Sequence, residues 1–321
     1  MRAAVVHQTG GSSILRYDEI PDPDIAPDQV LIEVKAAGIQ GGEVIARSRS
    51  LPTSSFVLGG QAAGTIREIG SQVGGFKRGD RVVAVMPHGS NAELASVDAE
   101  LVWEIPPSLS MEEAAAIPIE FATTHESLFE FGQLEEGQTV LVQAAASGVG
   151  IATVQLAKRA GATVFGTSSD SSRLERLSSL GLDFGINYAT SDVAAEVRRR
   201  THGRGVDLVV DLVGAATLAS SLDVIANRGR VALVGDAGRS DTWPSLLQLG
   251  IKNATMGGVY LLNGLMTDRP RIRAVVESSL RQVAKGEVSA VLDSTFPLSE
   301  AAAAHARVES RSAFGRVLLI P

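Results

Sequence analysis

Residues 139–161 read TVLVQAAASGVGIATVQLAKRAG, a stretch that predicts a strand, a loop and an amphipathic helix. Ala145, Ser147 and Gly150 stand at the three glycine positions of the Gly-x-Gly-x-x-Gly fingerprint of dinucleotide-binding loops. Because Ala and Ser are the smallest replacements for Gly, the main chain can still come close to a pyrophosphate at the start of the helix. The degraded fingerprint leaves a tight strand–helix turn without a ligand as the alternative.

Strand and helix patterns alternate from Thr139 onward. Short runs rich in Val and Ile predict strands at 139–143, 162–166, 184–187, 207–211, 230–234 and 254–259. Helical spacing lies between them, at 148–160, 172–180, 191–201 and 215–226. This alternation is typical of a parallel, doubly wound α/β sheet of the Rossmann type.

The chain on either side of this block has a different pattern. The first hundred residues hold short apolar runs separated by Gly, Pro and Asp, which predicts β structure. After a predicted helix at 269–285, strand patterns return at 290–296 and in the final GRVLLI. We therefore expect a β-rich domain formed by 1–118 and 262–321, with a Rossmann domain, 119–261, inserted into it.

The end of the second predicted strand bears on which nicotinamide cofactor would bind. NAD-binding domains usually place Asp or Glu there for the ribose hydroxyl. Here the strand ends at Thr167, Ser168 and Ser169, Arg173 follows within the next helical turn, and Tyr188 ends the third strand. Neutral hydroxyl groups beside a guanidinium favour NADPH, because Arg matches phosphate oxygens in geometry.

Asp170 is the opposing observation, because its carboxylate could bind a ribose instead. It lies past the strand end, however, and Ser172 with Glu175 fits a capping box. The polar residues here would then only begin a helix, and Arg173 would be an ordinary solvated cation.

Composition excludes several classes of function. The formal net charge is −7 and no basic face is evident, which argues against nucleic-acid binding. The chain has no cysteine, no apolar run long enough for a bilayer span and no signal-peptide pattern. We expect a soluble, cytoplasmic protein with neither a nucleic-acid nor a membrane partner.

Several motifs together resemble the medium-chain dehydrogenase/reductase superfamily, and its zinc-free quinone oxidoreductase (zeta-crystallin-like) branch in particular. Besides the loop above, they are AAGI at 36–39, LGGQAAGTIREIG at 58–70, FKRGDRVVAV at 76–85, VVDLVG at 209–214 and GRVLLIP at 315–321. The resemblance covers nearly the whole chain. It implies a GroES-like β-rich domain beside the Rossmann domain.

The resemblance also implies the cofactor contacts. Thr123 matches a Thr that faces the nicotinamide, and Tyr260, Leu261 and Leu262 would close on the same ring. The remaining expected contacts are Ala146, Ser147, Gly148 and Val149 in the loop, Thr167, Ser168, Arg173 and Tyr188 around the adenosine phosphate, and Val213, Val234, Gly235 and Arg311 along the cofactor.

No metal is expected. Zinc-dependent members carry a Cys near Gln40 and a Gly-His-Glu near 59–61, where this chain has Gly-Gly-Gln. The histidines show no ligand spacing; they are His7, His88, His125, His202 and His305.

The expected substrate pocket departs from the branch. The quinone branch usually reads Asn-x-x-Asp-x-Tyr after AAGI, whereas this chain has Gln40, Glu43 and Ile45 at those positions. Gln40, Ile45, His88 and Tyr260 are the expected pocket residues. Gln40 is a candidate hydrogen-bond donor to the substrate, and His88 is either an acid or a surface-loop residue.

These observations favour NADPH-dependent hydride transfer to a quinone or an α,β-unsaturated carbonyl without a metal. Such acceptors delocalise the developing charge and need no Lewis acid. The alternatives are an enoyl reductase acting on acyl thioesters and a non-catalytic NADPH-binding sensor or structural protein. The resemblance further implies a homodimer joined through the strand near 254–259.

Overall fold

A computed structural model describes residues 1–49, 55–238 and 240–321. The chain divides into two compact units, the first formed by Met1–Ile119 with Arg269–Pro321 and the second by Glu120–Asp268. The second boundary thus lies after the helix Leu261–Thr267, whereas a boundary at 261/262 would cut that helix at its first residue.

The first unit opens with short strands and two helices. In chain order these are β1 (Arg2–Val6), β2 (Arg16–Glu19), β3 (Gln29–Gly38), α1 (Gly41–Arg49), β4 (Phe56–Val57), β5 (Gln61–Ile69), β6 (Arg81–Val85), β7 (Leu94–Asp98), β8 (Val102–Glu104) and α2 (Met111–Ala114). Ser110 begins α2 with a capping box shared with Glu113. A new helix, α3 (Pro118–His125), then begins at a proline, which is well suited to a first helical turn.

The second unit alternates strands and helices. They are β9 (Thr139–Val142), α4 (Gly148–Arg159), β10 (Thr163–Ser168), α5 (Ser171–Ser178), β11 (Phe184–Asn187), α6 (Val193–Arg200), β12 (Val206–Asp211), α7 (Ala215–Val224), β13 (Ile225–Leu233), α8 (Leu247–Lys252), β14 (Thr255–Gly258) and α9 (Leu261–Thr267). The strands form one parallel sheet in the order β11-β10-β9-β12-β13-β14. This is the Rossmann order, and the predicted fold class is confirmed.

The chain then returns to the first unit through α10 (Arg269–Ala284), β15 (Leu292–Pro297), α11 (Ala301–Glu309) and β16 (Arg316–Ile320). There β16 pairs antiparallel with β3 and parallel with β15, so the last strand completes the sheet β15-β16-β3-β5-β6-β8. A smaller sheet has the order β2-β1-β4.

Each unit has its own apolar core. Ile32, Ile66 and Val317 are buried in the first unit, and Leu141, Phe165 and Val209 are buried in the second. Burying such side chains is worth about 1.5–3 kcal/mol each, so the sheets, rather than the loops, carry the stability. No helix among the described residues has the length and apolar character that a bilayer crossing requires.

Candidate active site

The loop between β9 and α4 is held in one tight conformation. The Ala144 carbonyl accepts hydrogen bonds from both the amide (3.0 Å) and the hydroxyl (2.9 Å) of Ser147. The Ser147 hydroxyl in turn accepts from the Gly150 amide at 3.1 Å and caps the helix. A Cβ at Gly150 would lie 2.4 Å from the Ala144 carbonyl oxygen, so only glycine fits this turn.

The consequence of this turn is an anion-binding helix start. The capping bond satisfies the third amide of α4, and helix geometry leaves the amides of Gly148 and Val149 without an intrahelical acceptor. With the helix dipole behind them, these two amides are suited to a phosphate group. Ala146 lies just before the cap and is buried.

A buried hydrogen-bond network holds the first residues of the loop between β9 and α4. The Thr167 hydroxyl donates to Gln143 Oε1 at 2.8 Å and accepts from the Ala144 amide at 3.2 Å. Gln143 Nε2 continues the network to the Ser221 hydroxyl at 3.2 Å. Thr167, an expected cofactor contact, thus directs its hydroxyl to the loop that precedes α4.

Sequence reasoning missed Asp211, which anchors the neighbouring loop. Its fully buried carboxylate accepts hydrogen bonds from two amides, of Val213 (3.0 Å) and Gly214 (3.0 Å), and from two hydroxyls, of Thr217 (2.7 Å) and Ser221 (2.8 Å). The available signal was an Asp directly after the apolar run at 208–210, followed closely by a glycine.

The ends of β12 and β13 bring three of the expected cofactor contacts together. The Val234 amide donates to the Asp211 carbonyl at 2.9 Å, and the Val213 carbonyl accepts from the Gly238 amide at 2.8 Å. A Cβ at Gly235 would lie 2.8 Å from the Leu212 carbonyl oxygen. Val213, Val234 and Gly235 therefore line one edge of the sheet.

The polar residues at the ends of β10 and β11 also form a cluster. Arg173 Nη2 donates to the Ser169 hydroxyl at 2.8 Å, and the Tyr188 amide donates to the Ser168 carbonyl at 3.0 Å. Ser168 is buried, whereas Tyr188 is half exposed. The cluster presents hydroxyl groups and a guanidinium at the edge where a dinucleotide binds in this fold.

The predicted capping box of Ser172 with Glu175 is wrong. Asp170 caps α5 instead, since its Oδ1 accepts from both the amide and the hydroxyl of Ser172 at 2.8 Å. These hydrogen bonds lower the pKa of the Asp170 carboxyl. Its other oxygen lies 4.0 Å from Arg173 Nε, so a carboxylate stands beside the guanidinium.

The expected nicotinamide contacts lie on two elements of the second unit. Thr123 is buried on α3, and the neighbouring Thr124 hydroxyl donates to the Val149 carbonyl at 3.2 Å. Tyr260 precedes α9 and is 69% exposed, and Leu261 is buried in the first turn of that helix. Leu262, next in the turn, is partly buried.

The first unit holds the other expected site residues. Gln40 links β3 to α1, and a Cβ at Gly60 would lie 3.8 Å from Gln40 Cγ. Ile45 is partly buried on α1, while His88 is exposed with its ring centroid 4.6 Å from that of Phe56. Arg311 is exposed just after α11 and has a left-handed backbone conformation, with φ of 55°.

A buried carboxylate lies directly beside Gln40, and sequence reasoning gave it no role. Glu43 Oε1 accepts from the Gln40 amide at 2.7 Å, and Oε2 accepts from Asn91 Nδ2 at 3.2 Å. Burial raises the pKa of Glu43 to about 7, against the opposing effects of these hydrogen bonds and of the charges on Arg316 and Arg47.

Two buried cations accompany this carboxylate. Arg316 donates to the Ile39 carbonyl, and burial lowers its pKa to about 10. Arg47 pairs with Glu309. Burial, aided by the Arg47 charge, lowers the pKa of His305 to about 3, so this imidazole is neutral at physiological pH.

Comparison with known proteins identifies the family. Residues 26–107 match the alcohol dehydrogenase GroES-like domain, and residues 148–289 match the zinc-binding dehydrogenase family. A 2-haloacrylate reductase of a Burkholderia species is 32% identical over 99% of this chain and 98% of its own length. A Pseudomonas aeruginosa quinone oxidoreductase is 31% identical over 97% of each chain.

A solved structure agrees with these relatives. The Escherichia coli quinone oxidoreductase complexed with NADPH superposes with a TM-score of 0.95, at 29% identity over the whole of both chains. The chain belongs to the medium-chain dehydrogenase/reductase superfamily, in its quinone oxidoreductase branch. It is therefore an oxidoreductase.

This member of the superfamily uses the positions of the zinc ligands differently. Gln61 Nε2 donates to the Ala115 carbonyl at 2.8 Å, and Gln61 Oε1 accepts from the Ile119 amide at 3.0 Å. Both ends of this fully buried side chain are thus hydrogen-bonded, one to the C-cap residue of α2 and the other to the first turn of α3. The described ranges contain no group of three or more His, Asp or Glu residues arranged to hold a metal ion. The residues at these positions therefore do not fit a zinc ion.

Proposed function

We propose that this oxidoreductase uses NADPH to reduce a quinone or an α,β-unsaturated carbonyl compound, without a metal. The observation that carries the proposal is the cluster of Ser168, Ser169, Arg173 and Tyr188 at the strand ends. It accompanies the first amides of α4, which have no acceptor within the helix. The names of the relatives, a quinone oxidoreductase and a 2-haloacrylate reductase, support the same class of acceptor.

The residues fit this cofactor at both of its phosphate groups. The Gly148 and Val149 amides would hold the pyrophosphate, because helix starts favour anions. Arg173, with the Ser168 and Ser169 hydroxyls and Tyr188, would hold the 2′-phosphate. The bound cofactor supplies a hydride. The protein's own contribution is to bind the cofactor, to orient it toward the substrate and to exclude water from the site.

On the substrate side, the chemistry favours acceptors that stabilise negative charge themselves. In the absence of a Lewis acid, the side-chain amide of Gln40 would donate a hydrogen bond to the substrate oxygen. Quinones and enones need no stronger electrophile, because conjugation spreads the developing charge. Saturated ketones have no such delocalisation and are expected to react poorly.

The first experiment follows loss of reduced-nicotinamide absorbance with purified protein. Each of NADPH and NADH is paired with a small quinone, a simple enone, an acyl-thioester enoate and a saturated ketone. Turnover of NADPH with the quinone or the enone is expected. Preference for the thioester would make the protein an enoyl reductase, and tight NADPH binding without any turnover would make it a sensor or structural protein.

A matched pair of variants tests the cofactor site directly. Arg173→Ala removes a charge-assisted contact and is expected to weaken NADPH binding about tenfold to a hundredfold, measured by calorimetry, with little effect on NADH. Arg176→Ala, which removes a cation from the same helix, is the control and should leave both affinities unchanged. Equal effects of Arg173→Ala on the two cofactors would contradict 2′-phosphate recognition.

We also propose a homodimer joined through the edge of the second unit's sheet. One edge strand of that sheet is β14, and six of the nine large hydrophobic side chains exposed among the described residues lie close to it in sequence. They are Trp243, Leu246, Leu247, Ile251, Tyr260 and Met266. Light scattering should give a dimer for the wild type and a monomer for Ile251→Glu; a wild-type monomer would contradict the proposal. The cytoplasmic location stays a prediction.

A further inference from the structure

Glu43 occupies an unusual position for a buried carboxylate. It lies in the first turn of α1, three residues after Gln40. Its side chain turns back and accepts a hydrogen bond from the main-chain amide of Gln40 at 2.7 Å. The second oxygen accepts from Asn91 Nδ2 at 3.2 Å, on a segment 48 residues away in sequence. One side chain therefore connects the residue that leads into α1 to the segment that precedes β7.

The length of this side chain matters for the connection. The quinone branch that the sequence resembles usually carries Asp at this position, and Glu is longer by one methylene group. In this chain the longer side chain spans both partners. An Asp with an unchanged main chain would fall short of at least one of them.

The charged groups around Glu43 come from two elements. Arg47 lies one turn later on α1, and Arg316 reaches in from β16. The Arg47 guanidinium is occupied by Glu309, and Arg316 donates to the Ile39 carbonyl, immediately before Gln40. Glu43 and Arg316 therefore hold consecutive residues of the main chain, one through an amide and the other through a carbonyl.

We propose that Glu43 is a positioning residue for the substrate pocket, whose two carboxylate oxygens hold the main chain of Gln40 against Asn91. The proposal rests on the proposed function only in taking Gln40 as a substrate contact. Glu43 acts through hydrogen bonds rather than by giving a proton to the substrate. A side chain of the same length that can still accept from the Gln40 amide should therefore replace it.

Glutamine meets that requirement because of the state of Asn91. The Asn91 Oδ1 atom is buried and has no hydrogen-bond partner in the part of the chain that the structure describes. If the Asn91 amide rotates by half a turn, this oxygen can accept from the new Nε2 of Glu43→Gln, while the new Oε1 accepts from Gln40. Alanine offers no acceptor at this position.

The test measures hydrogen exchange of the Gln40 amide in the full chain, in wild type, Glu43→Ala, Glu43→Asp and Glu43→Gln. Exchange should become about tenfold faster in the Ala variant, which has no acceptor for the Gln40 amide, and faster by less in the Asp variant, whose shorter side chain loses at least one of the two hydrogen bonds. It should stay close to the wild-type rate in Glu43→Gln. Glu309→Gln is the matched control: it removes the carboxylate paired with Arg47, and Gln40 exchange should not change.

Activity supplies a second, independent measurement. With a quinone or enone substrate, kcat/KM should fall about tenfold in Glu43→Ala and Glu43→Asp and recover in Glu43→Gln. Recovery by Gln, which cannot give up a proton, distinguishes positioning from acid catalysis. Denaturation curves of each variant separate the local effect from global unfolding, and Glu43→Asp keeps the test open if the Ala variant does not fold.

Two results would overturn the proposal. One is Gln40 exchange in Glu43→Ala within about twofold of wild type, because the hydrogen bond would then not hold the main chain. The other is a Glu43→Gln variant as impaired as Glu43→Ala. A wild-type protein inactive on every acceptor would contradict the proposed function alone, since the exchange result does not depend on turnover.

Discussion

Asp211 in the second unit and Glu43 in the first are both buried carboxylates, but their surroundings differ. Asp211 accepts from two amides and two hydroxyls, which together replace the water it has lost. Glu43 accepts from one amide and one side-chain amide, and burial raises its pKa to about 7 in spite of two nearby guanidiniums. Burial alone therefore does not set the free-energy cost of enclosing a carboxylate. The number of hydrogen-bond donors directed at the carboxylate matters as well.

The strongest test of this comparison is Asp211→Ala. Removing the carboxylate leaves the Val213 and Gly214 amides and the Ser221 hydroxyl without this acceptor, whereas the Thr217 hydroxyl still has the Gly214 carbonyl at 3.2 Å. At about 1–3 kcal/mol for each buried group, the loss of unfolding free energy should be about 4 kcal/mol or more. Urea unfolding measures it. Asp192→Ala is the control, because that side chain accepts one amide at the start of α6 and should cost about 1 kcal/mol. Equal losses in the two variants would show that the four hydrogen bonds contribute no more than one exposed cap.

The second test uses pH. The folded-state pKa of Glu43 lies above its ordinary value of 4.5, so the folded protein binds the proton more tightly and its stabilisation is lost as pH rises through about 7. Between pH of about 5 and about 8, the stability of wild type relative to Glu43→Gln should fall by on the order of 3 kcal/mol. Denaturant titrations across this range measure the difference.

The variant comparison cancels other titrating groups, including His305. The pKa of that imidazole is lowered to about 3, so its own effect is a loss of stability as pH falls below its ordinary value of 6.5. Glu33→Gln serves as a control of opposite sign, because hydrogen bonding to Lys35 lowers the pKa of Glu33. A difference between wild type and Glu43→Gln that does not change with pH would mean that Glu43 is not forced toward its neutral form.

A third and smaller effect concerns Asp170, whose carboxylate would compete with a bound phosphate group for Arg173 under the proposed function. Asp170→Asn keeps the cap of α5, since Asn caps helices as well as Asp, but removes the charge 4.0 Å from Arg173 Nε. Binding of NADPH should strengthen about threefold while NADH binding stays the same, measured by calorimetry at low salt. Tighter binding of both cofactors would instead indicate that Asp170 lies near the part they share.

The sequence predicted the parts of this fold that depend on local periodicity. The strands and helices of the parallel sheet follow from apolar spacing, and the helix start at Ser147 follows from small residues after a strand. The helices α1, α8 and α9 were not predicted, because α8 and α9 are short and α1 begins with two exposed glycines. A short helix is decided by its tertiary contacts more than by its own pattern.

The two anchoring carboxylates could not have been derived from spacing. Asp211 is satisfied only because the chain turns back so that residues 213–221 surround it. Glu43 finds Asn91 only because separate segments of the first unit meet. In both cases the sequence shows an acid among apolar residues, and the three-dimensional structure supplies its partners.

The smallest expected effect comes from a substitution at Ala144, which tests the backbone conformation of the loop between β9 and α4. Its φ of 53° is left-handed, a conformation that costs a residue with a Cβ about 1–2 kcal/mol, although its amide and carbonyl are both held by hydrogen bonds. Ala144→Gly removes that strain but makes the unfolded chain more flexible, so the net gain should be about 0.5 kcal/mol, measured by thermal unfolding. Ala145→Gly is the control, since Ala145 is buried without positive φ and should lose about 1 kcal/mol. A loss in Ala144→Gly as large as in the control would show that the hydrogen bonds, and not glycine-like freedom, determine the shape of this loop.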